Sequence, residues 1–278
     1  MTRSGERFAV AFKEQLRKAS ARLLGTQAAL ATRIDAHSVH EFRVAVRQAR
    51  ALLWSAKPWL IRRRYENCLI HLKWLTSHLG PLRDIEVIAR LLRDPIAGHA
   101  RLNSAQRRTL AASIVRTRRQ LHRARGDRPG YADAALHTRL VCRLLRNPRL
   151  LRRNVPGTVD PWRQRILHAV RRCKQRLRKA HASEFHELRI RARHCRYALE
   201  ALGERAPAAS IRKLRKMQRA LGRYVDLQLA ATWCKTQAAR ELDDKLRRRI
   251  RRSARVMARR QARTATRLGQ IGEWRVTP

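Results

Sequence analysis

Apolar residues recur every three or four positions along most of this chain, and no stretch alternates with the period of two that a half-buried strand requires. Phe8, Phe12, Leu16, Leu23 and Leu30 predict a first helix over residues 5–31. A second begins near Val39, with Phe42, Ala45, Val46, Ala49, Leu52 and Leu53 on its apolar side. Ser38 with Glu41 three residues later reads as the capping box that opens it. That reading puts His40 in the first turn, where unpaired N–H groups favour an anion. Pro58 turns the chain, and a third helix runs from Arg62 to Leu79 with Leu69, Leu72, Leu75 and Leu79 inward and Lys73 on its polar side. Gly80 and Pro81 end it. Further helices are predicted over 104–125, broken by Gly126–Gly130, then 132–146, 162–180, 185–200, 208–221, 225–240 and 241–268, with a fraying tail from Gly269. The expected fold is all-α.

Two of these helices repeat one another. Laid over Val39–Trp54 (VHEFRVAVRQARALLW), the stretch Phe185–Glu200 (FHELRIRARHCRYALE) aligns His40 with His186, Arg43 with Arg189, Arg47 with Arg193 and Arg50 with Arg196, at a spacing of 146 residues. Positions i, i+3, i+7 and i+10 fall within roughly 80° of each other on a helix. Each copy therefore carries one histidine and three arginines as a stripe, while Leu188, Ala192, Cys195, Leu199 and Leu202 supply the apolar side of the second. A second echo, Leu79–Val87 (LGPLRDIEV) against Leu221–Leu229 (LGRYVDLQL), has a spacing of 142 and aligns Gly80 with Gly222, Asp84 with Asp226 and Lys73 with Arg215. The duplication predicts two pseudo-symmetric antiparallel helical bundles, 1–146 and 162–278. Between them, 147–161 holds three prolines and a glycine and reads as a linker.

These residues carry a resemblance. The two repeats are similar to the signature helices of the CHAD family, α-helical histidine domains that bind inorganic polyphosphate, whose patterns run VHxxRVxxRRxR and LHxLRIxxKRxRYxxE; the Leu-Gly…Asp turn after each copy extends the likeness over most of the chain. The resemblance implies that both stripes face a shared basic cleft or pore. It implies a polyphosphate site made of His40, Arg43, Arg47, Arg50 and Lys73 with His186, Arg189, Arg193, Arg196 and Arg215. The chain departs from the family pattern at Gln48, where arginine is commoner, at Ala49, where leucine is, and at Arg193, where lysine is.

Composition sharpens this picture. Lys and Arg number 66 against 20 Asp and Glu, a formal charge of +46, and a bound polyanion would relieve that self-repulsion. Only 10 of the 66 are lysines, so most cations offer the planar fork that grips phosphate in bidentate fashion, although a GC-rich coding bias would also enrich arginine. At 44% hydrophobic and 5% aromatic, the chain can bury a core built mainly of aliphatic residues. Cys68, Cys142, Cys173, Cys195 and Cys234 are odd in number, scattered and without a CxxC, as expected of reduced core thiols in a cytosolic protein. The N-terminus lacks an apolar signal region, and no run approaches the ~18 apolar residues of a membrane span. The expected setting is the cytoplasm, with polyphosphate granules as the place of association.

Catalytic readings find little support. His40 and His186 have no HxxxH or HExxH context, and a face of arginines repels metal ions, so no metal ligand is assigned. Asp84 and Asp226 read as helix caps or arginine partners. No triad, no glycine-rich phosphate loop and no acidic cluster of the kind that phosphoryl transfer uses is present. The chain is therefore expected to be a binding protein, with no catalytic residue and no cofactor. The alternative is non-specific binding of a nucleic-acid backbone, which a row of arginines serves equally well. A metal-dependent phosphohydrolase ranks third.

Overall fold

The predicted apolar faces meet in a computed structural model that describes residues 7–33, 35–78, 80–93, 108, 111–117, 119, 129–240 and 244–271. Among these residues there is no β-strand beyond a single bridge between Leu60 and Leu151, and the all-α class holds. In chain order the long helices are α1 Phe8–Thr32, α2 Ala36–Ser55, α3 Arg62–His78, α4 Gly80–Arg93, α5 Pro129–Leu145, α6 Asp160–Lys179, α7 Phe185–Glu200, α8 Ala208–Arg240 and α9 Asp244–Ile271. Of the basic helix predicted over 104–125, residues 111–117 are helical and most of the remainder lies outside the described residues, as does the tail after Ile271.

Two expectations fail for physical reasons. The cap of α2 is not Ser38–Glu41. Asp35 accepts from the Ser38 backbone N–H at 2.8 Å, while its own N–H donates to Ser38 Oγ at 3.0 Å. The box is the same device shifted three residues upstream, and the Ser38 N–H holds the Asp35 carboxyl below its ordinary pKa. Glu41 instead accepts from Arg22 of α1 at 3.3 Å, and His40 lies beyond the first turn, without the helix-end N–H groups foreseen for it. Residues 208–221 and 225–240 also prove to be one helix. Arg223 stands where the first copy has Pro81, so the N–H that proline lacks is present and the helix continues through Gly222. Residue 79, where the first copy's stop was expected, lies outside the described residues.

The main core joins residues from both sides of 147–161. Phe8, Phe12, Leu16, Leu23 and Leu30 of α1 pack with Phe42, Val46 and Leu53 of α2, Leu72 and Leu75 of α3, Trp162 and Val170 of α6, Leu188 and Leu199 of α7, and Leu214 and Leu221 of α8. The 147–161 segment is itself pinned: Ile61 N–H donates to Leu150 O at 3.0 Å, and Arg152 N–H to Trp59 O at 2.9 Å. A second cluster sets Ile85 and Ile88 of α4 against Leu227, Ala230 and Cys234 of α8 and Ile250, Ala254 and Met257 of α9. The 33-residue α8, roughly 50 Å long, thus backs the main core with its first half and the second cluster with its other half. All five cysteines are buried and unbridged. No described helix is long and apolar enough to cross a membrane.

Trp162 is the joint between the two sides. It is 1% exposed, lies edge-on to Phe8 and Phe12 at centroid distances of 5.7 and 5.6 Å, and donates from Nε1 to Ser55 Oγ at 2.9 Å. Trp162→Ala should cost about 3–5 kcal/mol. It should lower the midpoint of one cooperative urea transition, followed by helical circular dichroism; two separate transitions would show that the sides do not share a core.

Candidate functional site

α2 and α7, the repeated helices, pack directly on each other. Their apolar sides are anchored in the main core, which brings the edges of the two arginine stripes together. Arg47, Arg50, Arg189 and Arg193 share one electrostatic neighbourhood, centred on Arg193. Arg43 and Arg50 converge on the last turn of α3, where Arg43 Nη1 donates to Thr76 O at 3.4 Å and Arg50 Nη1 to Thr76 Oγ1 at 3.5 Å. In the other copy Arg196 Nε donates to Gln218 Oε1 of α8 at 2.7 Å. Thr76 and Gln218 are 142 residues apart and Arg50 and Arg196 are 146 apart, so aligned positions make the same contact in both copies.

Two carboxylates brace the α7–α8 side. Glu200 Oε1 accepts from Arg196 Nη1 at 3.0 Å and from Arg215 Nη2 at 2.9 Å. Asp226 lies 3.4 Å from Arg189 and 3.7 Å from Arg90, the arginine partner foreseen for it. The Arg196 guanidinium also stacks on Tyr197, 4.1 Å above the ring centroid. Gly222 has no side chain at this point, and a Cβ there would rest 3.7 Å from Arg189 Nε.

Elsewhere in the cluster, burial works against charge. Arg193 is pushed down to about 9, first by burial and then by the fields of Arg47 and Arg189. It remains a cation at neutral pH, but one held at a cost of a few kcal/mol. Arg193 Nε and Arg50 Nε are buried and have no hydrogen-bond acceptor among the described residues. Arg50 is likewise lowered by burial. His194, beside Arg193 and 5.7 Å from the Trp54 ring, is pushed down to about 4, chiefly by burial and then by Arg193 and Arg50, so it is neutral at pH 7. Buried guanidinium N–H groups lacking acceptors are an unfilled demand for negatively charged oxygen.

The outer members of the predicted set stand apart. His186 and Lys73 are exposed, with no described contact to the cluster, and His40 is half-buried on α2 one turn before Arg43. Sequence reasoning overlooked His194, Trp54, Thr76, Glu200, Gln218 and Arg90. A signal existed for His194: it aligns with Gln48, a position already marked as departing from the family pattern. Among the described residues no three His, Cys, Asp or Glu side chains gather as metal ligands. Three surface hollows, one of about 550 Å³ lined by Leu16, Arg17, Leu145 and Arg146, lie along α1 and share no residue with the arginine cluster. The cluster is a seam between helices.

The fold and the doubled basic helices define an all-α domain of one family. The sequence matches the CHAD domain over residues 14–235, and the chain belongs to that family. Its structure is similar to the crystal structure of the CHAD domain from the plant Ricinus communis, at 21% identity and a TM-score of 0.73, covering 96% of this chain and 91% of that one. It is similar also to PptA from Streptomyces chartreusis, at 15% identity and a TM-score of 0.77, covering 96% of this chain and 99% of that one. At these identities the likeness is one of fold. No curated protein matches the sequence.

His194 gives the site a pH signature. Its folded pKa of about 4 lies below the ordinary 6.5, so between these values the unfolded chain takes up a proton that the native chain refuses. Stability is therefore full above pH 6.5 and falls as pH drops toward 4, by up to about 3 kcal/mol from this residue. His194→Gln should flatten that part of the stability curve in urea titrations between pH 7 and 4; an unchanged slope would mean that His194 is solvated in the native state.

Proposed function

We propose that this protein binds inorganic polyphosphate along the α2–α7 seam and does not turn it over. The observation that carries the reading is Arg193 Nε, buried without an acceptor amid Arg47, Arg50 and Arg189. A phosphate oxygen there would supply the missing acceptor and relieve the mutual repulsion of the cluster in one step. Membership of the CHAD family supports the same ligand.

Arg43, Arg47, Arg50, Arg189 and Arg193 form the centre of the proposed site. Arg196 and Arg215, tethered by Glu200, extend it along α7 and α8. His40, His186 and Lys73 are proposed as further donors to the same polyphosphate chain. A polymer with about one negative charge per unit engages such an array through many weak contacts, so affinity grows with chain length. The cytoplasm, at polyphosphate granules, is the setting this function fits.

Arg47→Glu combined with Arg193→Glu should weaken binding of long-chain polyphosphate by roughly a hundredfold while helical circular dichroism stays unchanged. Arg193→Lys keeps the charge, loses the fork and should cost about tenfold. Titration at increasing sodium chloride should show affinity falling linearly on a log–log plot. Retained affinity in the double variant would place the site elsewhere, release of orthophosphate from the bound chain would make the protein an enzyme, and loss of bound polyphosphate to duplex DNA at equal phosphate concentration would favour the nucleic-acid reading of the seam.

A further inference from the structure

The most basic element of the chain has no part in the seam. From Lys245 to Ile271 the sequence holds ten arginines and one lysine and not a single acid. α9 turns Ile250, Ser253, Ala254 and Met257 inward against α4 and α8, where they are buried. Arg248, Arg252, Arg255, Arg259 and Arg263 are exposed on the other side. These five positions fall within roughly 80° of one another and run about 22 Å along the helix. Apart from Arg248, whose Nε donates to the Asp244 carbonyl at 3.3 Å, these five arginines have no hydrogen bond or ion pair among the described residues.

Its geometry is unlike that of the seam. There, guanidiniums on two helices are half-buried and crowd one another; here, a single convex row stands in water. A convex row touches one side of its ligand, which suits a rigid polyanion whose own surface already spaces its phosphates. Duplex nucleic acid is such a ligand, with one charge per about 1.7 Å of axis and a major groove wide enough to admit a helix. Residues 244–271 contain no aromatic side chain, so the stacking platforms that single strands use are absent. Among the described side chains of α9, Ile250, Ala254 and Met257 are committed to the core, and the larger exposed side chains are arginines, which does not suit entry into a bilayer.

We propose that α9 is a second polyanion surface, separate from the α2–α7 seam, which lies along the phosphate backbone of duplex nucleic acid without reading its sequence. The two surfaces let one molecule hold two different polyanions at once. The inference stands on the α9 stripe and does not require the seam to bind polyphosphate.

The test uses the full chain, a fluorescein-labelled 20-base-pair duplex and fluorescence anisotropy across sodium chloride concentrations. Arg252, Arg255 and Arg259 are replaced together by Glu and, as a helix-preserving control, by Gln. The Glu variant should lose at least about tenfold in duplex affinity at 100 mM salt, and the log–log salt slope should shrink by about 2.7, at 0.9 per lost contact. The Gln variant should show the same change in slope, and both variants should bind long-chain polyphosphate as the parent does. Saturating polyphosphate should leave the duplex bound. Unchanged duplex affinity in both variants would overturn the proposal, as would a parallel loss of polyphosphate affinity, which would make the two surfaces one. A defect confined to vesicles containing phosphatidylserine would assign α9 to membranes and overturn it as well.

Discussion

Hydrophobic packing forces like charges together in this protein. Phe42, Val46, Leu53, Leu188, Ala192 and Leu199 fix α2 and α7 back to back, and each large aliphatic or aromatic residue contributes about 1.5–3 kcal/mol by leaving water. Exposed like charges on a helix repel by only a few tenths of a kcal/mol per pair, so burial of the apolar sides wins easily. Where the arginines are half-buried the repulsion grows, because water screens it less. Arg193 shows the result: a guanidinium whose charge is resisted by its surroundings but which the fold will not release. Glu200 and Asp226 offset part of the field on the α7–α8 side, holding Arg196, Arg215 and Arg189 in place.

That arrangement was largely legible in the sequence, because helical spacing alone separates a side that must be buried from a side that cannot be. Every apolar residue assigned to the inward sides of α2 and α7 is buried, and Arg47, Arg50, Arg189 and Arg193 come together. Interactions that depend on tertiary position or on a competing local choice were not legible. Two capping boxes competed at the start of α2, Asp35–Ser38 and Ser38–Glu41, and spacing could not rank them; Arg22, 19 residues upstream, draws Glu41 away. The break expected at Gly222 by analogy with Gly80 does not occur, because Arg223, unlike Pro81, keeps a backbone N–H that can donate within the helix. His194 carries no local signal of its role, because burial and the fields of Arg193 and Arg50 lower its pKa only once the helices pack, with Trp54 beside it.

The continuity of α8 ties these points to the site. A helix broken at Gly222 would have left Gln218 and Asp226 on separate elements, free to move independently. As one rod anchored in both hydrophobic clusters, α8 holds Arg215, Gln218 and Asp226 in fixed register along α7. Rigidity matters for an array of cations, because guanidiniums that could swing into solvent would do so and lower their mutual repulsion. Held in place, they keep their demand for an anion.

The same reasoning separates the seam from α9. Arginines in water are already solvated, so an anion reaching α9 gains mainly by releasing counterions, a term that depends on charge spacing and is indifferent to chemical detail. Arginines in the seam are partly stripped of water and lack acceptors at Arg50 Nε and Arg193 Nε, so an anion reaching them also satisfies specific donors. One chain thus presents two grades of basic surface, a solvated outer row and a partly desolvated inner cluster. What distinguishes them is not the amount of charge, since α9 carries more, but whether packing has removed the alternatives that water would otherwise supply.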